Sequence, residues 1–498
     1  MMGVPVTSRW TRRDGFKLLG LLALAAALRF YDLAGESLWY DEAYSVWSSS
    51  MDILSPRVLW AWRIEFPLYY WLLHVWMRLF GDGEVAVRSL SAVAGALTVL
   101  PMVGLGRRLF DERVGWAAGL LLAVSPYHIG YSQEARMYGC AVLLALVSTY
   151  AFWRMVQGAR WPWWLVHTLS TGLTFSLHYY VGWFVLSQNL FMAAWSWSKH
   201  PTWRRWWRAM VPWIIEQLFV LLLALPAFAV FWHKAAGLNQ WGWLAEQYGA
   251  PGLRSLVGLF STFVVGSSFG GPSWLRWGIL LGVALIIAWG AWAAWRRPRD
   301  GDCAWAWSWV AGSLLLAVGA VFLLGQLRPV WVPRYMLLFL PSLLLMAAMG
   351  LGAVPGRWGE VLLALLVLGS ASGLVGLYGE RQKEDWRGVA RLIAAERRAD
   401  EALILMDGEC RVPWEYYAPG DDPLRLEVSR FADGATLDEA VAWASTQGSG
   451  KRLWMLVSHA DAKGLVSRLD NAGDWRREAT PQFVGIELYR YAPAEGSE

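Results

Sequence analysis

Leu38-Trp39-Tyr40-Asp41-Glu42-Ala43-Tyr44 sets two adjacent carboxylates in an aromatic frame, just past the first hydrophobic run of the chain at residues 18–28. Bare acids at the edge of a membrane are unfavourable unless they pair, bind or react. The residues before them decide which side of the membrane they reach. Arg9, Arg12, Arg13 and Lys17 hold the N-terminus on the cytoplasmic side by the positive-inside rule, so the first span delivers Asp41 and Glu42 outside. The run continues into Arg29-Phe30-Tyr31 without a small-residue cleavage site and is read as a retained helix, not a cleaved signal.

The whole composition agrees with a membrane reading. Of 498 residues, 56% are hydrophobic and only 17% charged, against roughly 25% charged in soluble domains. Mean hydropathy is +0.33. The net charge of +5 comes from Arg clusters between apolar runs, so it marks topology and gives no nucleic-acid footprint. Thirty-seven tryptophans fit interfacial anchoring, with a few left for stacking on sugar or lipid. Cys140, Cys303 and Cys410 are scattered, without CxxC spacing, and define neither a disulfide framework nor a zinc site.

Charge and length then predict about eleven spans of about 20 residues each. The second, at 85–105, ends at Arg107-Arg108, and the third, at 114–131, leads outward to Ser132-Gln133-Glu134-Ala135-Arg136-Met137-Tyr138. The fourth returns to Arg154 and Arg160, the fifth emerges at His178-Tyr179-Tyr180, and the sixth re-enters at Lys199 and Arg204. The seventh exits near Trp232 into an outside segment holding Asn239-Gln240-Trp241 and a short interfacial stretch at 256–265. The eighth ends at Arg296-Arg297-Pro298-Arg299, the ninth emerges at Arg328-Pro329, the tenth re-enters after Arg334-Tyr335, and the eleventh occupies 361–378. Residues 67–80 have the length of an interfacial or re-entrant helix.

From about residue 380 the composition shifts to frequent acids and arginines with strand-length apolar runs. Four strands are expected, at 402–406, 424–428, 452–457 and 484–489, separated by helices at 386–397, 437–444 and 462–471. This predicts a small α/β domain outside the membrane, with no GxGxxG or P-loop and hence no nucleotide site. The domains are therefore 1–379 in the membrane and 380–498 beyond it. Asp385 is placed to cap the first helix of the second domain.

The polar clusters gather at the outer ends of spans: Asp41/Glu42, Glu134/Arg136, His178 with Tyr179 and Tyr180, and Arg328/Arg334. Bundled helices bring such ends into one cavity, where carboxylates act as bases or metal ligands, cations hold a phosphate, and aromatics face a sugar or prenyl chain. Blander readings stand beside each. The acidic pair caps a juxtamembrane helix beginning after Tyr40; Glu134 and Arg136 form a local ion pair; His178 packs; Arg334 snorkels. A cation on the outer face nevertheless runs against the positive-inside bias and is explained by a bound anion, with Lys234 and Arg254 weaker examples.

An ordered series of motifs resembles a known group. Arg29-Phe30-Tyr31, Ser37-Leu38-Trp39-Tyr40-Asp41-Glu42-Ala43-Tyr44, Pro67-Leu68-Tyr69-Tyr70, Phe80-Gly81, Arg88, Gly106-Arg107-Arg108-Leu109-Phe110, Tyr131 through Tyr138 and Val332-Pro333-Arg334-Tyr335 resemble bacterial GT-C glycosyltransferases. That group is related to the dolichyl-phosphate-mannose protein mannosyltransferases and the lipid A aminoarabinose transferases. The likeness is dense over residues 29–200 and faint in the tail. It implies a polytopic α-helical GT-C-like fold with about 11 transmembrane helices, juxtamembrane helices and a small C-terminal α/β extracytoplasmic domain.

The implied activity is transfer of a hexosyl or pentosyl unit from a polyprenyl-phosphate carrier to an acceptor hydroxyl on the outer face of the plasma membrane. The implied partners are that donor, membrane lipids, and a protein, glycolipid or polysaccharide acceptor. Asp41 matches the acidic residue that acts as base, with Glu42 and Glu134 as further catalytic acids. Arg136, Arg334 and Arg328 would hold the donor phosphate, and Tyr40, Tyr44, Tyr138, His178 and Tyr179 would line the substrate site. A divalent metal is an open option, with Glu42 and His178 as candidate ligands. Relatives carry a polar residue followed by Pro-Pro where this chain has Glu65-Phe66-Pro67, which leaves that position without an assigned role. The rival readings are a flippase or transporter of a lipid-linked precursor, which predicts polar residues along the spans, and a plain membrane anchor for the soluble domain.

Overall fold

The computed structural model describes residues 10–51, 67–236, 249–296, 301–380, 383–406, 408–429, 432–448 and 450–494. Glu65, Phe66, Asn239-Gln240-Trp241 and Arg297-Pro298-Arg299 lie outside the described residues, as does the Lys234 side chain. The chain divides into two compact units. The first holds Met1–Tyr31, Asp52–Leu79 and Ala86–Glu380; the second holds Asp32–Met51, Phe80–Val85 and Arg381–Glu498. The acidic-pair segment thus belongs to the same unit as the C-terminal α/β fold.

The first unit is helical. Seven helical stretches among the described residues are long and apolar enough to cross a membrane: Glu84–Leu109, Tyr138–Val156, Trp203–Ala229, Ser273–Arg296, Cys303–Gly325, Pro333–Ala353 and Trp358–Gly379. They match seven of the expected spans. The other four correspond to shorter or more polar helices. Arg12–Phe30 carries five charged side chains, Pro162–Phe175 has 14 residues, and Val181–Lys199 is broken up by Ser, Gln and Asn. The third expected span is not continuous: Glu112–Ala123 stops and Pro126–Ser132 restarts. Pro126 lacks the N–H a helix would use, and Ser125 before it is extended (φ −64°, ψ 114°), as a pre-proline residue prefers. Glu84–Leu97 and Val99–Leu109 are likewise separated at Thr98, because Pro101 cannot donate to Leu97 O. Pro67–Phe80 and Leu253–Val265, at 14 and 13 residues, are about 20 Å long and too short for a 30 Å hydrocarbon core.

Close packing of the spans uses small residues. A Cβ added at Gly106 would meet Gly115 Cα at 2.7 Å, so the backbones of Val99–Leu109 and Glu112–Ala123 approach as only glycines permit. A buried polar network ties four other helices together. His167 Nδ1 lies 2.8 Å from Glu216 Oε1 and Nε2 lies 3.2 Å from Gln188 Oε1. Thr168 and Gln217 each donate to the Glu216 carboxylate at 2.6 Å, and Gln188 reaches Ser148, itself paired with Thr171 at 2.7 Å. With apolar surface on every side, such groups persist only because they satisfy one another.

The second unit is built on a five-stranded sheet, order β2-β1-β3-β5-β4, with β1 (Ala402–Met406), β2 (Arg425–Val428), β3 (Leu453–Val457), β4 (Trp475–Glu478) and β5 (Glu487–Pro493). β1 pairs in parallel with β2 and β3, while β5 runs antiparallel to β3 and β4. β1 and β3 are buried along their whole length because both faces are covered. Leu403 and Leu405 pack with Trp386, Val389, Ile393 and Trp414 on one side; Ile404 and Met406 pack with Met455, Leu465 and Leu469 on the other. Two differences from expectation have local causes. β4 is an added edge strand, Trp-Arg-Arg-Glu, with only Trp475 buried and too charged to show a strand pattern. β5 starts at Glu487, not 484, because Gly485 adopts φ +67° inside a turn closed by the Phe483–Ile486 bridge. Asp385 caps Trp386–Glu396 as expected, accepting from Gly388 N at 2.9 Å.

Candidate active site

The acidic pair occupies the first turn of Tyr40–Ser50. The helix starts where the bland reading puts it, yet neither carboxylate is its cap. Trp39 is the N-cap, extended at φ −84° and ψ 174°, and makes no side-chain cap hydrogen bond. Asp41 and Glu42 instead meet the positive end of the helix macrodipole. Successive helical side chains point about 100° apart, and the pair splits accordingly. Glu42 is fully buried, whereas Asp41 is partly exposed. Tyr40, Tyr44 and Trp47 stack along one side of the helix, with ring centroids 6.2 and 5.6 Å apart.

The second unit grips this segment through polar contacts. Lys383 Nζ lies 3.1 Å from Glu42 Oε2, and the Lys383 N–H donates to Glu36 Oε1 at 2.9 Å. Ser37 Oγ donates to Glu384 O at 2.5 Å. Arg387 donates to Ala34 O and Gly35 O at 3.1 Å each and to Glu84 Oε2 at 2.7 Å. Lys383, Arg387 and Glu84 were not singled out from the sequence; they sit in ordinary charged stretches, and only folding shows what they hold.

The first unit gathers the remaining candidates around a string of aromatic rings. Tyr127, Tyr131, Tyr138, His178 and Tyr335 follow one another at centroid separations of 5.0, 5.0, 6.0 and 5.1 Å. Tyr179 stacks on His178 at 5.4 Å, and Tyr180 lies 5.3 Å from Tyr335. Arg334 stands 5.6 Å from the Tyr335 ring. Arg136 is buried, with its guanidinium 3.4 Å from Tyr70 Oη, while its carbonyl accepts from Ser91 Oγ at 2.8 Å. The charges of Glu134 and Arg334 both act on Tyr131, and those of Arg334 and Arg136 both act on His178. Glu134, Arg136, Tyr138, His178, Tyr179 and Arg334 are therefore neighbours. Arg328 is exposed, at the end of Gly301–Gly325, where its N–H donates to Leu324 O at 2.9 Å.

His178 is buried, and its Nδ1 accepts the Tyr180 N–H at 3.2 Å. Burial, then the charges of Arg334 and Arg136, push its imidazole down to about 3. The ring stays neutral near neutral pH and offers a flat face rather than a proton. The two candidate metal ligands, Glu42 and His178, lie in different units, and Glu42 is committed to Lys383. Among the described residues no group of three or more His, Cys, Asp or Glu is placed to hold an ion.

Tyr179, Tyr180 and Tyr335 also form one wall of a cavity of about 540 Å³. Phe175, Trp183, Leu186, Phe228 and Leu324 line the rest, so an almost wholly apolar chamber adjoins the cationic aromatic string. Tyr180 belonged to the expected cluster with His178, whereas Tyr335 is an addition to the expected site, and the signal for it lay in its place beside Arg334.

Known proteins resemble this chain in part of its sequence and in its fold. A sequence profile described as dolichyl-phosphate-mannose-protein mannosyltransferase matches residues 65–233. An undecaprenyl phosphate-alpha-4-amino-4-deoxy-L-arabinose arabinosyl transferase of Pseudomonas aeruginosa is 30% identical over 241 residues, 43% of this chain. A second enzyme of that name from Pseudomonas fluorescens is 26% identical over 242 residues. Both alignments span 42% of the relative's length, so the chain matches less than half of these proteins. Among solved structures, ArnT from Cupriavidus metallidurans bound to undecaprenyl phosphate superposes with a TM-score of 0.58 at 15% identity, covering 96% of this chain and 98% of that one. The oligosaccharyltransferase of Archaeoglobus fulgidus superposes with a TM-score of 0.50 at 14% identity, covering 96% and 73%. At such identities the superpositions speak for the fold. Part of the chain thus resembles the mannosyltransferase profile and the aminoarabinose transferases in sequence, and the chain as a whole has the fold of these solved membrane glycosyltransferases.

Proposed function

We propose that this multi-pass membrane protein transfers a sugar from a polyprenyl-phosphate carrier to an acceptor hydroxyl on the outer face of the membrane, with Asp41 as general base. The observation that carries the reading is the division within the acidic pair: Glu42 is buried and paired, Asp41 is left accessible in the first helical turn. An accessible carboxylate held by a rigid neighbour suits a proton acceptor. The cationic aromatic string supports the donor end. Arg136 and Arg334 suit a phosphate, His178, Tyr138 and Tyr179 suit a sugar face, and the adjoining apolar cavity suits the first isoprene units.

In the reaction the acceptor oxygen bonds to the anomeric carbon as the bond from that carbon to the phosphate oxygen breaks. Asp41 takes the acceptor proton, and the polyprenyl phosphate leaves as an anion stabilised by Arg136 and Arg334. Glu134 keeps the pocket's charge balanced against those two cations. A single displacement inverts the anomeric centre, so a product of retained configuration contradicts the scheme.

The buried His167–Glu216 pair favours a transport reading, since ionisable groups within spans mark substrate pathways. Membrane vesicles loaded with labelled undecaprenyl-phosphate 4-amino-4-deoxy-L-arabinose, and in parallel the mannosyl donor, separate the two. Label leaving the carrier for an envelope acceptor supports the transferase. Intact donor changing leaflet without transfer supports transport and overturns the proposal.

A further inference from the structure

We propose that the first unit carries a groove for one aminophospholipid, phosphatidylethanolamine, with its phosphate between Lys17 and Arg113 and its ammonium on Glu360. None of these residues belongs to the transfer site proposed above.

The groove lies among helices that are tied together at one end. Arg29, near the end of Arg12–Phe30, donates to Ala123 O at 3.0 Å and to Leu122 O at 3.2 Å, at the end of Glu112–Ala123. The Tyr378 hydroxyl, at the end of Trp358–Gly379, donates to Leu28 O. Toward their starts the same three helices border a cavity of about 490 Å³, with Leu351 and Gly352 of Leu340–Ala353 as its fourth side. Interiors are close-packed, and a space of this size is that of a ligand site. Glycine keeps it open: a Cβ added at Gly20 or Gly356 meets nothing within 4 Å.

The lining is ordered along the groove. Each helix enters with a charged side chain and continues with an apolar one: Lys17 before Leu24, Arg113 before Leu120, Glu360 before Leu363. Seven residues separate the first two pairs, so the polar mouth leads along about 10 Å of apolar wall. Arginine placement assigns this mouth to the cytoplasmic side. Trp10 and Trp116 meet edge to face at 6.3 Å, and Lys17 Nζ lies 5.4 Å from the Trp116 ring, which sets the mouth at headgroup depth. Charged pockets between spans on this side suit lipid headgroups.

The mouth carries both signs of charge. Lys17 reaches Glu112 only at 3.9 Å, with side chains 44% and 41% exposed, a weak pair. No hydrogen bond or ion pair of the Arg113 or Glu360 side chain falls among the described residues. Two cations suit a phosphate, while the carboxylate beside them suits a primary ammonium and disfavours a headgroup that is only anionic. Phosphatidylglycerol brings the phosphate without a cation for Glu360. Phosphatidylcholine brings a cation without an N–H to donate.

The test is native mass spectrometry of the delipidated full-length protein in detergent, titrated in turn with the palmitoyl-oleoyl forms of these three lipids. The unaltered chain should retain one phosphatidylethanolamine about tenfold more tightly than either of the others. Lys17→Gln combined with Arg113→Gln should weaken that binding by about tenfold or more. Glu360→Gln should keep the phosphate contacts and lose the preference, so that phosphatidylethanolamine and phosphatidylglycerol bind alike. Gly20→Leu should block the apolar wall and release the lipid; the side chain has room there, and leucine favours a helix more than glycine does. Thermal unfolding is the second readout: phosphatidylethanolamine should raise the transition of the unaltered protein and leave that of Gly20→Leu in place. Inorganic phosphate should not displace the lipid, and displacement would reveal a plain anion site and overturn the proposal. Equal retention of all three lipids, or an unchanged preference in Glu360→Gln, also overturns it. So does undiminished binding in Gly20→Leu, which would put the lipid on another surface.

Discussion

The Tyr417 hydroxyl donates to Glu84 Oε1 at 2.5 Å and accepts the Leu38 N–H at 2.6 Å. One phenol thereby joins three distant parts of the sequence within the second unit, directly beside the acidic-pair helix. Burial, then the hydrogen bond to Glu84, raises the Tyr417 phenol above its ordinary value, so it remains a donor at physiological pH. Tyr417→Phe leaves Glu84 and the Leu38 N–H short of a partner and should destabilise the unit by about 1–3 kcal/mol. Thermal unfolding followed by tryptophan fluorescence checks this; an unchanged transition would show the bond to be dispensable.

The His167–Glu216 pair sits in the spans with both side chains buried. Both ring nitrogens face oxygens, Glu216 Oε1 and Gln188 Oε1, and Glu216 accepts from Thr168 and Gln217 besides. Replacing one partner strands the other. His167→Leu or Glu216→Leu should each cost about 3–5 kcal/mol, and the double replacement less than their sum. Melting curves in detergent for the four proteins give the coupling directly. Additive losses would mean the two residues act independently.

His178 gives a pH signature. Its folded value of about 3 lies below the unfolded 6.5, so the unfolded chain binds the proton more readily between them. The stability gained by keeping the ring neutral is complete above pH 6.5 and is lost as pH falls from there toward 3. The slope approaches about 1.4 kcal/mol per pH unit within that window. His178→Gln should flatten this part of the stability curve while leaving kcat without a new limb near pH 6.5. A kcat limb that vanishes with His178 would show that the ring carries a proton in turnover.

For the donor phosphate, Arg136→Met and Arg334→Met should each raise KM for the polyprenyl-phosphate sugar by about tenfold or more, the loss of one charge-assisted hydrogen bond. Arg328→Gln should change KM far less, because its side chain is exposed at the end of Gly301–Gly325. Equal effects at all three positions would place the phosphate elsewhere.

Much of this architecture is legible in the chain itself. Hydropathy and arginine placement mark the long spans, and short continuous apolar runs mark β1 and β3, because both signals come from neighbours in sequence. The Pro126 break was visible as a residue but masked by continuous hydropathy from 114 to 131. β4 was hidden because an edge strand needs little apolar surface, and Trp475 alone is buried there. At the candidate site, Glu134, Arg136, His178 and Arg334 were readable as polar residues in apolar surroundings. Lys383, Arg387 and Tyr417 were not. Their meaning arises from hydrogen bonds to residues more than 300 positions away, and no local pattern encodes such pairs.

The central claim is that the Asp41 carboxylate takes the acceptor proton. The most direct measurement is single-turnover transfer from a labelled polyprenyl-phosphate sugar by purified, correctly folded Asp41→Asn protein, compared with the unaltered chain. Asparagine keeps the shape and removes the base. Transfer should fall by about 10²–10⁴-fold while donor binding is retained. Turnover near that of the unaltered protein would contradict the account.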